Sequence, residues 1–150
     1  MIDKPYSPAC DRNKEPILEV LKEVVAPFNK NLLEIGSGTG QHAVFFAPHF
    51  KHLTWVTSDL EINHQGIKMW LSEFKISNII GPIEFEIGKT PFPKQTKRSN
   101  HRINTFDLIF TANTFHIMSW KECKTLLKMW GNTLHEGYQV LIYGPFNYEG

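Results

Sequence analysis

With 150 residues, a net charge of +1 and a pI near 7.8, the chain suits one domain over 1–150 and carries no basic footprint for nucleic acid or an anionic membrane. Its make-up, 41% hydrophobic and 21% charged, is that of a globular protein with enough apolar surface for a real core. Two cysteines, Cys10 and Cys123, fit a reducing compartment; with an acid and a proline at Asp3 and Pro5 instead of a signal-like start, and no membrane-length apolar run, the expected address is the cytoplasm.

In chain order, Asn13 is expected to cap a helix whose first turn holds Glu15 and Pro16. Its apolar face carries Ile17, Leu21, Val24 and Phe28, and Pro27 marks its end. The period then changes. Asn31 to Ile35 is a short apolar run stopped by glycine, as expected of a buried parallel strand. A short helix from Gln41 to Ala47 closes at Pro48, and Leu53 to Thr57 reads as a second strand ending at Ser58 and Asp59. Asn63 to Phe74 is helical, with Ile67, Trp70, Leu71 and Phe74 on one face. Three further strands are predicted at Ile83 to Ile87, Asp107 to Thr111 and Gln139 to Tyr143. Ser119 caps a helix to about Trp130, with Leu126, Leu127 and Trp130 inward, and Gly131 or Gly137 ends the turns beyond it. Gly88 to Thr105 reads as a loop where a helix would belong. For its Lys94, Lys97, Arg98 and Arg102, a solvated connector is favoured over a basic flap that recruits substrate. Strands alternating with helices predict a doubly wound α/β fold, a mostly parallel Rossmann-like sheet.

The chemistry concentrates where the first strand turns into a helix, at Glu34, Gly36, Ser37, Gly38 and Gly40. Glycines there let the backbone approach a ligand, and the first N–H groups of the next helix face it. A dinucleotide fingerprint would place its third glycine one residue later. The spacing found, with an acid ahead of it, is that of S-adenosylmethionine sites; a carboxylate such as Glu34 suits a ligand carrying an ammonium and a sulfonium. Asp59, at the end of the second strand, is placed to accept both ribose hydroxyls. Asn113 follows the fourth strand at the expected reversal of strand order and faces the methionyl end; it is also a catalytic candidate bordering the acceptor with His116, the candidate general base. Tyr6, Phe115 and Trp120 are candidates to pack on a sulfonium, with core packing the competing role for the last two. The seven histidines show no zinc spacing, so no metal is expected. Methyl transfer is the leading reading. A module that holds the cofactor without turnover is the first alternative, and a nicotinamide-dependent oxidoreductase, disfavoured by the glycine spacing, the second.

The run K-P-Y-S-P-A-C-D-R-N-K-E-P-I-L from Lys4 to Leu18, followed by L-E-I-G-S-G-T-G-Q-H-A, resembles the methyltransferase family filed as domain of unknown function 938, whose animal members are called methyltransferase-like 26. L-T-W-x-x-S-D ending at Asp59, N-x-x-H-I from Asn113, Trp120 and Y-G-P-F from Tyr143 extend the match over nearly the whole chain. The resemblance implies a class I methyltransferase fold with S-adenosylmethionine as cofactor, and it puts Arg12 and Asn13 beside that cofactor. Glu86 stands where relatives usually have aspartate. Relatives continue through another helix and a final antiparallel strand pair, which implies a C-terminally truncated domain lacking the final strands. An open fifth strand would then favour a homodimer through that edge. The expected partners are thus a small-molecule substrate and a second copy, with no nucleic acid and no membrane.

Overall fold

Two prolines decide where the first helix begins. The computed structural model describes residues 3–93 and 106–146, with the backbone of 96–98 and 101–103. Helix α1 runs Pro8–Val24 behind an extended Ser7, and Pro8 occupies the opening turn, where a missing N–H goes unnoticed. The expected cap, Asn13, is instead a buried helical residue, and Pro16 lies inside the helix. The helix ends at Val24, ahead of Pro27, and Phe28 is 80% exposed, off the inner face on which it was expected.

Strand β1 (Asn31–Ile35), helix α2 (Gln41–Phe46), strand β2 (Thr54–Asp59) and helix α3 (His64–Phe74) follow, with single 3-10 turns at Ala47–His49 and Glu61–Asn63. Then come β3 (Ile79–Glu84), β4 (Thr96–Arg98), β5 (His101–Ile103), β6 (Leu108–Ala112), α4 (Trp120–Thr133) and β7 (Gln139–Tyr143). Five strands make one sheet in the order β3-β2-β1-β6-β7, and every neighbouring pair is parallel. Strand order therefore reverses between β1 and β6, the doubly wound Rossmann-like pattern read from the sequence.

Helices cover both faces of the central strands β1, β2 and β6, whose residues are nearly all buried. On one face Ile17, Leu21 and Phe46 of α1 and α2 pack on Leu32, Trp55 and Phe110; on the other, Leu126 and Trp130 of α4 pack on Leu33, Val56 and Ile109. Leu127, expected to point inward, is 46% exposed. Gly131 falls inside α4, while Gly137 adopts φ +89° in the turn before β7. The third strand starts four residues earlier than expected and contains Gly81 and Pro82. Within the stretch expected to be only a loop, β4 and β5 form an antiparallel pair. Lys94, Thr105, the side chains of Lys97, Arg98 and Arg102, and residues 1–2 and 147–150 lie outside the described residues. Among the described residues no helix is long and apolar enough to cross a membrane.

Candidate functional site

Residues 36–40 must turn the chain sharply from β1 into α2, and they do so on glycines. Gly36, Gly38 and Gly40 have φ of +70°, +58° and +91°, the left-handed region that other residues enter at a cost. At Gly36 a Cβ would stand 2.6 Å from Thr114 Oγ1, so the turn packs directly on the segment after β6. At Gly38 a Cβ would meet nothing within 4 Å, and the backbone lies open. Gly40 is the residue from which α2 starts.

Above this turn, at the carboxyl ends of β1, β2 and β6, lies a cleft of about 1090 Å³. It is large enough to take a nucleoside-sized ligand. Gly36, Ser37 and Gly38 form its floor, and Asp59 stands at the β2 side. The Asp59 carboxylate joins the two motifs: Oδ2 accepts the Gly38 N–H at 2.6 Å, and Oδ1 accepts the Leu60 N–H and Asn63 Nδ2, each at 2.7 Å. Apolar Leu60, Ile62 and Phe85 continue this wall, and Glu86 borders it while pairing with Lys89 at 2.6 Å. Arg12 and Asn13 of α1, Asn113 after β6 and the exposed His116 also line the cleft. Asn113 takes φ +57° and donates its N–H to the Tyr143 carbonyl at 2.8 Å, tying the loop after β6 to β7.

Glu34 sits elsewhere. It is 2% exposed, beneath the glycine turn and not on the cleft wall. Successive strand residues alternate faces, and Glu34 falls on the α1–α2 side beside Trp55. Its Oε2 accepts from Trp55 Nε1 and from Ser37 Oγ, each at 3.0 Å. Ser37 Oγ in turn accepts the Ser58 N–H at 3.2 Å. Burial pushes the Glu34 carboxyl up to about 7; the bonds from Trp55 and Ser37 pull the other way, and the Asp59 charge adds to the rise. Glu34 thus braces the turn from below.

The aromatic candidates also lie away from the cleft wall. Phe115 packs on Trp130 with ring centroids 6.0 Å apart, Trp120 is an exposed residue of α4, and Tyr6 donates its hydroxyl to Asp11. Among the described residues no three metal-ligating side chains cluster.

One wall residue is a histidine that carries no functional motif in the sequence. His42, in the first turn of α2, is 6% exposed and places Nε2 2.7 Å from Asn13 Oδ1. Burial lowers the pKa of its imidazole to about 4. The available signal was its place two residues after the last glycine of the turn. The strap ahead of α1 went equally unread: Pro5 and Ser7 border the cleft, held by Trp70 Nε1 to the Pro5 carbonyl at 2.7 Å and the Ser7 N–H to Gln41 Oε1 at 2.6 Å.

The sequence profile of the family described as "Protein of unknown function (DUF938)" matches residues 4–150. The S-adenosylmethionine-dependent methyltransferase SibL, in its apo form, superposes with a TM-score of 0.75 at 16% identity, covering 94% of this chain and 38% of that one. Human N-acetylserotonin methyltransferase in complex with S-adenosylmethionine gives 0.69 at 18% identity, over 89% of this chain and 34% of that one. Coclaurine N-methyltransferase bound to N-methylheliamine and S-adenosylhomocysteine gives 0.66 at 13% identity, over 95% and 38%. The chain therefore has the Rossmann-like fold of these methyltransferases and spans little more than a third of their length.

Proposed function

The chain belongs to the DUF938 family, and we propose that it binds S-adenosylmethionine in the cleft and serves transfer of its methyl group to a small-molecule acceptor. One observation carries this reading: the Gly38 N–H and the Asp59 carboxylate meet at 2.6 Å at the mouth of a parallel sheet, where strand order reverses. Asp59 Oδ1 already accepts two bonds, but Oδ2 accepts only the Gly38 N–H and keeps a lone pair for a ribose hydroxyl. The turn leaves open space over Gly38 and, on its spacing, makes no diphosphate cradle.

When bound, the cofactor supplies a methyl group already activated on a sulfonium. The protein's own work is then to hold, orient and desolvate. Gly36, Ser37 and Gly38 offer a floor, Asp59 a ribose anchor, and Leu60, Ile62 and Phe85 an apolar wall. Glu34 fixes Ser37 from below and Gly40 launches α2. Arg12, Asn13 and Asn113 line the side toward β6, and His116 on the rim can take a proton from an acceptor at an imidazole nitrogen. Calorimetric titration with S-adenosylmethionine should show saturable binding; the absence of heat at millimolar ligand overturns the reading. We propose the cytoplasm as its compartment, in keeping with two free cysteines, and self-association through β7.

A further inference from the structure

A buried histidine facing a ligand cleft needs a reason to be there. His42 projects from the first turn of α2 into the cleft wall, between Phe46, stacked at 5.2 Å, and Phe110, edge-on at 6.3 Å. Phe110 belongs to β6, so the ring lies on the β6 side of the cleft, the side away from Asp59. Its Nε2 bonds to Asn13 Oδ1 at 2.7 Å. A carbonyl oxygen only accepts, so Nε2 carries the proton and Nδ1 keeps its lone pair. Nothing among the described residues bonds to Nδ1. Yet the only sealed-off side-chain nitrogen or oxygen without a partner among them is Trp130 Nε1, so Nδ1 opens to the cleft. The ring is a fixed acceptor aimed at the ligand.

Building on the cofactor reading above, we propose that His42 Nδ1 accepts a hydrogen bond from the ammonium group at the amino-acid end of S-adenosylmethionine, with Asn13 as the positioning residue that fixes the ring. The observations favour an ammonium over other donors. Burial among phenylalanines holds the imidazole uncharged near neutral pH, so it does not repel a cation. Arg12, one residue before Asn13 on α1, also borders the cleft and forms no ion pair with a carboxylate among the described residues. A guanidinium and a neutral acceptor lining one cleft match the carboxylate and ammonium of an α-amino acid. Of the carboxylates that line the cleft with Asp3, Asp59 is tied to the β2 side, Glu86 pairs with Lys89 and Glu122 is engaged by Ser119 at the start of α4.

The test compares two ligands on the intact chain by calorimetry: S-adenosylhomocysteine, and 5′-methylthioadenosine, which keeps adenosine and sulfur but lacks the amino-acid end. Wild type should prefer S-adenosylhomocysteine. His42→Phe, which keeps the ring volume and loses the acceptor, should weaken S-adenosylhomocysteine about tenfold and leave 5′-methylthioadenosine unchanged. An unaltered preference, or equal weakening of both ligands, overturns the assignment. Should His42→Phe fail to fold, nitrogen chemical shifts of His42 in wild type replace it: Nδ1 should move with S-adenosylhomocysteine and stay put with 5′-methylthioadenosine, and equal movement counts against the contact. If wild type binds neither ligand, the cofactor reading falls and the His42 contact falls with it; binding with unchanged discrimination removes only the contact.

Discussion

At Asp59 one carboxylate serves three structural bonds and, on the proposed reading, the cofactor's ribose. Removing it leaves the Gly38 N–H without its acceptor and the diol without partners. Asp59→Ala should therefore cost about 1–3 kcal/mol of S-adenosylmethionine affinity by calorimetry, and a variant that binds as tightly as wild type would contradict the role. Glu34 makes a different prediction, because its effect is on stability. Its folded carboxyl titrates at about 7 against an ordinary 4.5, so the folded state keeps a proton that the unfolded chain has lost. Stability from this group is thus highest below pH 4.5, falls as pH rises, and bears the full penalty above 7. His42 runs the opposite way: its folded pKa of about 4 lies below 6.5, so its penalty grows as pH falls between those values. The two slopes oppose each other in mildly acid solution. Glu34→Gln removes only the first, so between about pH 4 and pH 8 the variant should gain about 3 kcal/mol relative to wild type in urea unfolding. A gap that stays constant with pH would mean the carboxyl is not raised. The glycine run and Asp59 were legible because spacing alone marks them. Glu34's place beneath the turn was not, since it depends on which face of β1 meets Trp55, a fact of packing. His42 was missed for the same reason: its partner lies 29 residues away on α1.

Elements were legible where local chemistry and packing agreed. Ser119 and Glu122 form a reciprocal capping box, with the Ser119 N–H donated to Glu122 Oε2 at 2.8 Å and the Glu122 N–H to Ser119 Oγ at 3.2 Å. Ser119→Ala should lower stability by about 1 kcal/mol in equilibrium unfolding, and a change of only a few tenths would show that packing of Leu126 and Trp130 alone fixes the start of α4. Where two local signals competed, the reading slipped. Pro8 and Pro16 both suit a first helical turn, and the earlier one was used. Gly81 and Pro82 precede the strand expected at Ile83 to Ile87, yet β3 pairs with β2 on both sides of them, with a shift in register between Val56 and Ser58. β3 is an edge strand, and an edge tolerates a residue that cannot donate to a ladder. The β4–β5 pair, three residues a side, is too short for a periodic pattern to reveal.

Across the whole molecule, alternation of strands and helices was enough to predict a doubly wound sheet, because parallel neighbours require crossovers and crossovers supply the helices. Its two edges differ in a way that bears on assembly. β3 carries Pro82 and a register shift, both of which discourage further pairing. β7, with the sequence Gln-Val-Leu-Ile-Tyr, holds no proline and no charge, and in the sheet of the described residues its one neighbour is β6. Ile142 and Tyr143 are exposed on it. On the self-association proposed above, this uncharged edge pairs with its own copy, two β7 strands lying antiparallel about a two-fold axis. Multi-angle light scattering should accordingly give a mass near twice that of the 17.4 kDa chain. Ile142→Lys should return it to a monomer of unchanged helical content, since a charge on that edge blocks pairing while the core lies elsewhere. A wild-type chain that stays monomeric across the accessible concentration range would remove β7 as a pairing surface while leaving the cleft and its ligand untouched.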